Sequence, residues 1–146
     1  MTVREMNDRI QAVDVMEMTR AAIAANASQM VTLQRRQMEE GVRSDGEMIA
    51  PLYRSVLYAM GKKQLYGSKA PYRVPDLKLT GAFHRGIVFE VDDNNYYFYS
   101  TDEKAPDLTD KYEKIMGLTD ENKEVAKVIN TRQLSRMYKE ATGLKG

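Results

Sequence analysis

A chain of 146 residues with no cysteine and a single histidine is long enough to bury one core without disulfides or a metal to staple it. That composition excludes thiolate nucleophiles, disulfide frameworks, zinc ribbons and iron–sulfur ligation, and it rules out a His-based cluster within one chain. Lys plus Arg is 22 and Asp plus Glu is 21, so the net charge of +1 offers no whole-molecule field for nucleic acid or anionic lipid, and an electrostatic partner has to be met by a local patch.

The first residues, Met1-Thr2-Val3-Arg4-Glu5, lead into Asp8, and no apolar run approaches the roughly 18 residues of a membrane span. We therefore expect a protein made in the cytoplasm, with no signal peptide and no membrane partner. Charge falls in blocks. Residues 41–86 are basic, 87–124 are acidic, and the tail from 125 is basic again, a pattern that fits a solvated surface or self-association between unlike faces.

In chain order, residues 1–40 lack Pro and Gly and are rich in Ala, Met, Gln, Arg and Glu, which are good helix formers. Met6, Ile10 and Val13, then Ile23, Ala27 and Met30, recur at helical spacing. One long helix or two is expected, with a break near Glu17 to Arg20 in preference to Asn26, because the apolar period runs through Asn26. Gly41 is expected to end the helix as a left-handed C′ residue.

Residues 41–81 read as an extended loop segment, with Ser44-Asp45-Gly46 as a turn, Pro51, Pro71 and Pro75 as breakers, and a short helix within Leu52 to Gln64 whose Tyr53, Val56, Leu57 and Met60 share a face. A stretch of this kind is usually functional or ordered by a partner. Residues 82–101 form a β-hairpin: Ile87 to Val91 and Tyr96 to Thr101 are the strands, and Asp92-Asp93-Asn94-Asn95 the turn. Residues 107–142 read as helical, with a short turn at Asp107 to Lys114, a break at Ile115 to Leu118, and a helix capped by Thr119 and ended by Gly143. The whole is a single α+β domain: a long N-terminal helix or helix pair, an irregular middle, an antiparallel hairpin and a C-terminal helix.

No catalytic, cofactor or metal set is expected. Thr80-Gly81 before Phe83 offers one glycine where a phosphate cradle needs several, and no residue is fixed as a partner for His84, so His84→Ala is expected to leave folding intact. The carboxylates from Asp92 to Asp110 lack calcium-loop spacing, and Tyr96 to Tyr99 lie in the acidic block, where a nucleic-acid backbone is repelled. A hydrolase built on those carboxylates therefore has no constellation behind it. The mixture that stands out is Tyr and Arg/Lys between residues 35 and 78. It suits a protein–protein interface, in which Tyr and Arg are common anchors, or else a nucleic-acid-binding accessory protein. The interface candidates are Tyr53, Arg54, Tyr58, Lys62, Lys63, Tyr66, Tyr72 and Arg73 on the basic side, facing Asp102, Asp107 and Asp110 on the acidic side. The 41–79 segment is expected to order only when a neighbouring subunit arrives.

The run Leu33-Gln34-Arg35-Arg36-Gln37-Met38-Glu39-Glu40-Gly41, with Ser44-Asp45-Gly46, Ile49-Ala50-Pro51-Leu52-Tyr53, Leu79-Thr80-Gly81-Ala82-Phe83 and Tyr112 to Asn122, resembles a family of small phage and prophage virion proteins from Bacteroidetes over residues 20–142. More distantly, the order of helix, loop, Thr-Gly-x-aromatic, hairpin and helix is similar to the tail-completion or neck proteins of long-tailed phages, from which the chain departs by having Phe83 and Gly86 where those carry Leu and Ser. The resemblance implies a ring of subunits at the head–tail joint of a virion, contacting portal, connector or tail proteins, with DNA passing through the lumen.

Overall fold

The computed structural model describes residues 1–78, 80–92 and 95–144. Leu79, and Asp93 and Asn94 of the expected hairpin turn, lie outside the described residues, as does Lys145 of the basic tail. Among the described residues the architecture is α+β, seven helices and one two-stranded antiparallel sheet.

Three helices open the chain: α1 (Val3–Gln11), α2 (Val15–Ala25) and α3 (Ala27–Glu39). The Thr2 hydroxyl and Glu5 carboxylate close a reciprocal capping box on α1, and Asp14 caps α2 by accepting from Glu17 N, each satisfying an amide that the first helical turn leaves over. The breaks therefore fall at Ala12 to Asp14 and at Asn26, not at Glu17 to Arg20. Asn26 is buried, and its amide donates to Asn130 Oδ1 at 3.1 Å, so a partner 104 residues away decides the position. Gly41 ends α3 at φ +76°, where an added Cβ would stand 2.6 Å from Val74 Cγ1; the left-handed turn and the close approach both call for glycine.

The middle segment carries α4 (Val56–Gln64), capped by Ser55, and one helical turn, α5 (Ala82–Arg85), precedes the hairpin. Residues 82–85 are thus helical, and the strands proper are β1 (Ile87–Val91) and β2 (Tyr96–Ser100). Register places Phe89 opposite Phe98 and Glu90 opposite Tyr97. Strand alternation turns Ile87, Phe89 and Phe98 onto the core, with the two phenylalanine rings 5.0 Å apart, while Glu90 faces out and accepts from the Tyr97 and Tyr99 hydroxyls at 2.8 and 2.7 Å. Helix α6 (Ala105–Lys111) follows, and α7 (Asp120–Thr142), capped by Thr119, runs unbroken through Asn130 to Gly143.

Helices α2 and α3 pack on β1, and α7 packs on α2 and α1. The buried cluster between them joins Met30 and Met38 of α3, the hairpin phenylalanines, Phe83, Tyr112, Ile115, Leu118 and Ala126. Two glutamines on successive turns of α3 are buried in it. Gln34 donates to Ile115 O at 3.0 Å and accepts from Gly117 N at 2.8 Å. Gln37 donates to Gly117 O at 2.8 Å and accepts from Thr119 N and the Asn122 amide at 2.9 and 3.0 Å. These amides satisfy the backbone of the α6–α7 turn and fix where α7 begins.

Candidate interaction surface

Residues 41–78 fold back on their own chain. Arg43 N and Gly46 N close the expected turn on Glu47 O and Arg43 O, and Ile49, fully buried, donates its amide to Gly41 O. Tyr53 N donates to Arg73 O at 2.9 Å, and Arg73 Nε returns a bond to Tyr53 O at 3.0 Å. Ala70 and Val74 then close over Gly41. Ile49, Ala59, Ala70 and Val74 of this segment are buried within the chain and give it an apolar reason of its own to fold.

Helix α4 is turned the opposite way from its apolar stripe. Its buried residues are Ala59 and Lys62. Lys62, 3% exposed, bonds Asp76 Oδ1 at 2.7 Å and also donates to Lys78 O. That ion pair takes the place an aliphatic side chain would hold, so Val56, Leu57 and Met60 point to solvent and are continued by Leu65 and Tyr66. Leu57 is 81% exposed, Leu65 82% and Tyr66 65%. Large apolar side chains exposed together in one short segment mark an interaction surface, whereas scattered ones do not. Arg54, Lys63 and Lys69 are exposed in the same segment.

Behind this helix a cleft of about 190 Å³ is lined by Tyr53, Tyr58, Lys62, Phe83, Asp102 and Tyr112, among others. The rings of Tyr53 and Tyr58 meet edge to face at 5.0 Å. Burial, with the Asp76 carboxylate beside it, raises both hydroxyls above their usual pKa, so they serve as neutral hydrogen-bonding groups. A neighbouring cluster joins Glu39, Lys78 and His84. The Lys78 ammonium, 2.9 Å from Glu39, holds that carboxyl below its usual pKa. His84 is 3% exposed, and its Nε2 lies 2.7 Å from Asp76 O. A carbonyl can only accept, so Nε2 carries the proton and Nδ1 is a buried acceptor with no partner among the described residues. Burial lowers the pKa of the ring.

The sequence-derived candidates are therefore sorted. Arg54, Tyr58, Lys63, Tyr66 and Tyr72 are exposed on the middle segment, and Asp107 and Asp110 are exposed on α6. Lys62 is not a surface group, because Asp76 holds it inside. Arg73 is partly buried and tied to Tyr53 O. Asp102, counted with the acidic side, lines the same cleft as Tyr53 and Tyr58. His84 is likewise a core residue, 3% exposed and bonded to Asp76 O, so its place in the fold is interior. What sequence reasoning missed is the outward stripe of α4 and the glutamine pair of α3. The pattern Val56-Leu57-x-x-Met60 signals a helix face but does not say which way it turns.

Neither a family model, a curated protein nor a solved structure matches the chain.

Proposed function

We propose that the chain is a structural subunit of a tailed-phage virion, a ring-forming head–tail connector, neck or tail-completion protein that acts through contacts with copies of itself and with portal, connector or tail proteins, and not an enzyme. The observation that carries the assembly part is the outward apolar stripe of α4, Val56, Leu57 and Met60 with Leu65 and Tyr66, exposed beside Arg54 and Lys63. The phage part rests on the sequence resemblance. Asp107 and Asp110 on α6 give a neighbouring copy an acidic surface to meet those cations, and a head-to-tail contact of that kind closes into a ring when the rotation allows.

The alternative, a nucleic-acid-binding accessory protein, draws on the basic residues between 35 and 78. Several of these are already engaged: Arg35 with the carbonyls of His84 and Arg85, Arg43 with Asp45, Lys62 with Asp76, and Lys78 with Glu39. Arg54, Lys63 and Lys69 remain exposed, and the apolar residues among them favour protein over phosphate as partner.

The test is the pair Leu57→Asp and Leu65→Asp in one chain, followed by light scattering over a concentration series, DNA binding, and incorporation into virions. The expected result is an oligomeric native protein and a variant that keeps its circular dichroism, stays monomeric and is missing from purified particles. A variant that assembles like the native chain, or a native chain that is monomeric throughout and binds DNA, overturns the proposal.

A further inference from the structure

Both outer edges of the two-stranded sheet are unpaired among the described residues, and that of β2 lies beside a cleft. Asp92 N donates to Asn95 O and Thr101 N to Gly86 O, which fixes the ladder: Val88 with Tyr99 and Glu90 with Tyr97 exchange the inter-strand bonds. In an antiparallel pair the alternate residues point their backbone groups away, so Tyr96, Phe98 and Ser100 present N–H and C=O outward from β2. Among the described residues, those backbone groups have no partner. Edges are normally guarded by lysine, proline, a bulge or a covering element. The strand Tyr96-Tyr97-Phe98-Tyr99-Ser100 has no lysine, proline or charge.

That edge borders an open cleft of about 650 Å³, which Tyr96, Tyr97 and Phe98 share with Lys114, Met116 and Leu118. Tyr96, Leu118 and Lys123 also line a second cavity, of about 280 Å³, together with Ile23, Phe89 and Leu134. The two spaces therefore adjoin at Tyr96, Leu118 and Lys123. Lys123 and Lys127, both exposed and one turn apart on α7, stand at the inner cavity, and neither has an ion-pair partner among the described residues.

We propose that this double cleft binds an extended peptide segment of a partner protein, added to β2 as a third strand, with a large apolar side chain in the inner cavity and a carboxylate against Lys123 and Lys127. Strand addition supplies main-chain bonds from the edge, and the pocket for an alternate side chain supplies selectivity. A small amphiphile would fill the inner cavity but leave Tyr96 and Phe98 unpaired. A second copy's β2 would pair the edge, but its Tyr96 to Ser100 carry no carboxylate within the strand. The site uses none of the outward residues of α4, so it stands or falls separately from the assembly role.

The experiment pans a random heptapeptide display library against the full chain, then titrates the synthesised peptides. The expected selection is β-branched peptides carrying an acidic residue and a large apolar one. Three variants read the geometry. Tyr96→Pro removes an outward N–H at the first residue of the strand, where proline is tolerated and no hairpin bond is lost, whereas Tyr96→Ala keeps that N–H. Lys123→Glu reverses the charge. Affinity is expected to be about tenfold weaker in Tyr96→Pro than in Tyr96→Ala, and about fivefold weaker than native in Lys123→Glu. Bound peptide should also slow hydrogen exchange at the native Phe98 amide, a reading that needs no variant to fold. No selected peptide, equal binding by the proline and alanine variants, or an unchanged Phe98 amide overturns the proposal. So does decanoate binding as tightly as the peptides, which would assign the site to a small amphiphile, or Phe98 protection by self-association alone, which would assign it to a second copy.

Discussion

Replacing Lys62 and Lys63 one at a time by alanine sets two adjacent lysines in opposite surroundings. The Lys62 ammonium is buried against Asp76 at 2.7 Å, with side-chain exposures of 3% and 7%. Lys63 is exposed and donates only to Ala70 O. Removing Lys62 strands the Asp76 carboxylate in the interior, and breaking a buried pair in this way costs about 3 to 5 kcal/mol. One bond remains to Asp76 Oδ1, from Lys78 N, which places the expected loss near the lower end. Lys63→Ala removes one surface bond and should cost about 0.5 to 1 kcal/mol. At about 2 to 4 °C per kcal/mol for chains of this size, the melting temperature should fall by roughly 10 °C for Lys62→Ala and by about 2 °C for Lys63→Ala. Urea unfolding at low protein concentration, where assembly does not contribute, measures the difference directly. Equal losses for the two variants would refute the inward orientation of α4 and with it the outward stripe.

Three further outcomes follow from the packing and hydrogen bonds. Phe89→Ala and Phe98→Ala, whose rings meet at 5.0 Å in the core, should each cost about 3 to 5 kcal/mol in urea unfolding. Gln37→Ala removes the acceptor of Thr119 N and the Asn122 amide and the donor to Gly117 O, so it should cost about 3 kcal/mol and speed hydrogen exchange at the Thr119 amide. Because burial lowers the folded pKa of His84 from its ordinary 6.5, the unfolded chain takes up the proton more readily. The stability this contributes is therefore whole above pH 6.5 and is lost as pH falls through the lowered value. Urea midpoints at pH 7.5 and 5.5 should differ in the native protein and converge in His84→Gln.

The hairpin was legible because alternation needs only neighbours: Ile87, Phe89 and Val91 lie on one face whatever surrounds them. Caps were legible for the same reason, and Thr119 and Gly41 act locally as their residue types suggest. The break at Asn26 was hidden because its partner is Asn130, a contact with no signature in either segment. The interior of the middle segment was hidden more deeply. An apolar stripe on a short helix is read as facing inward, and here Lys62 found Asp76 instead, an outcome fixed by tertiary charge and not by periodicity. Tyr58 and Tyr66 stand out as interface residues by type, whereas Leu57 and Leu65, the more exposed pair, do not, because leucine is a core residue by default.

The glutamine pair of α3 has a consequence for the order in which the molecule comes apart. Gln34 and Gln37 tie residues about 80 positions apart through amides, which neither titrate nor oxidise, so this joint behaves as a cross-link indifferent to acid and to redox state. In the cluster on the other side of the same helix, Glu39 and His84 are groups that do change charge on acidification. Acid therefore loosens the junction of α3 with the middle segment first, while the junction of α3 with α7 still holds.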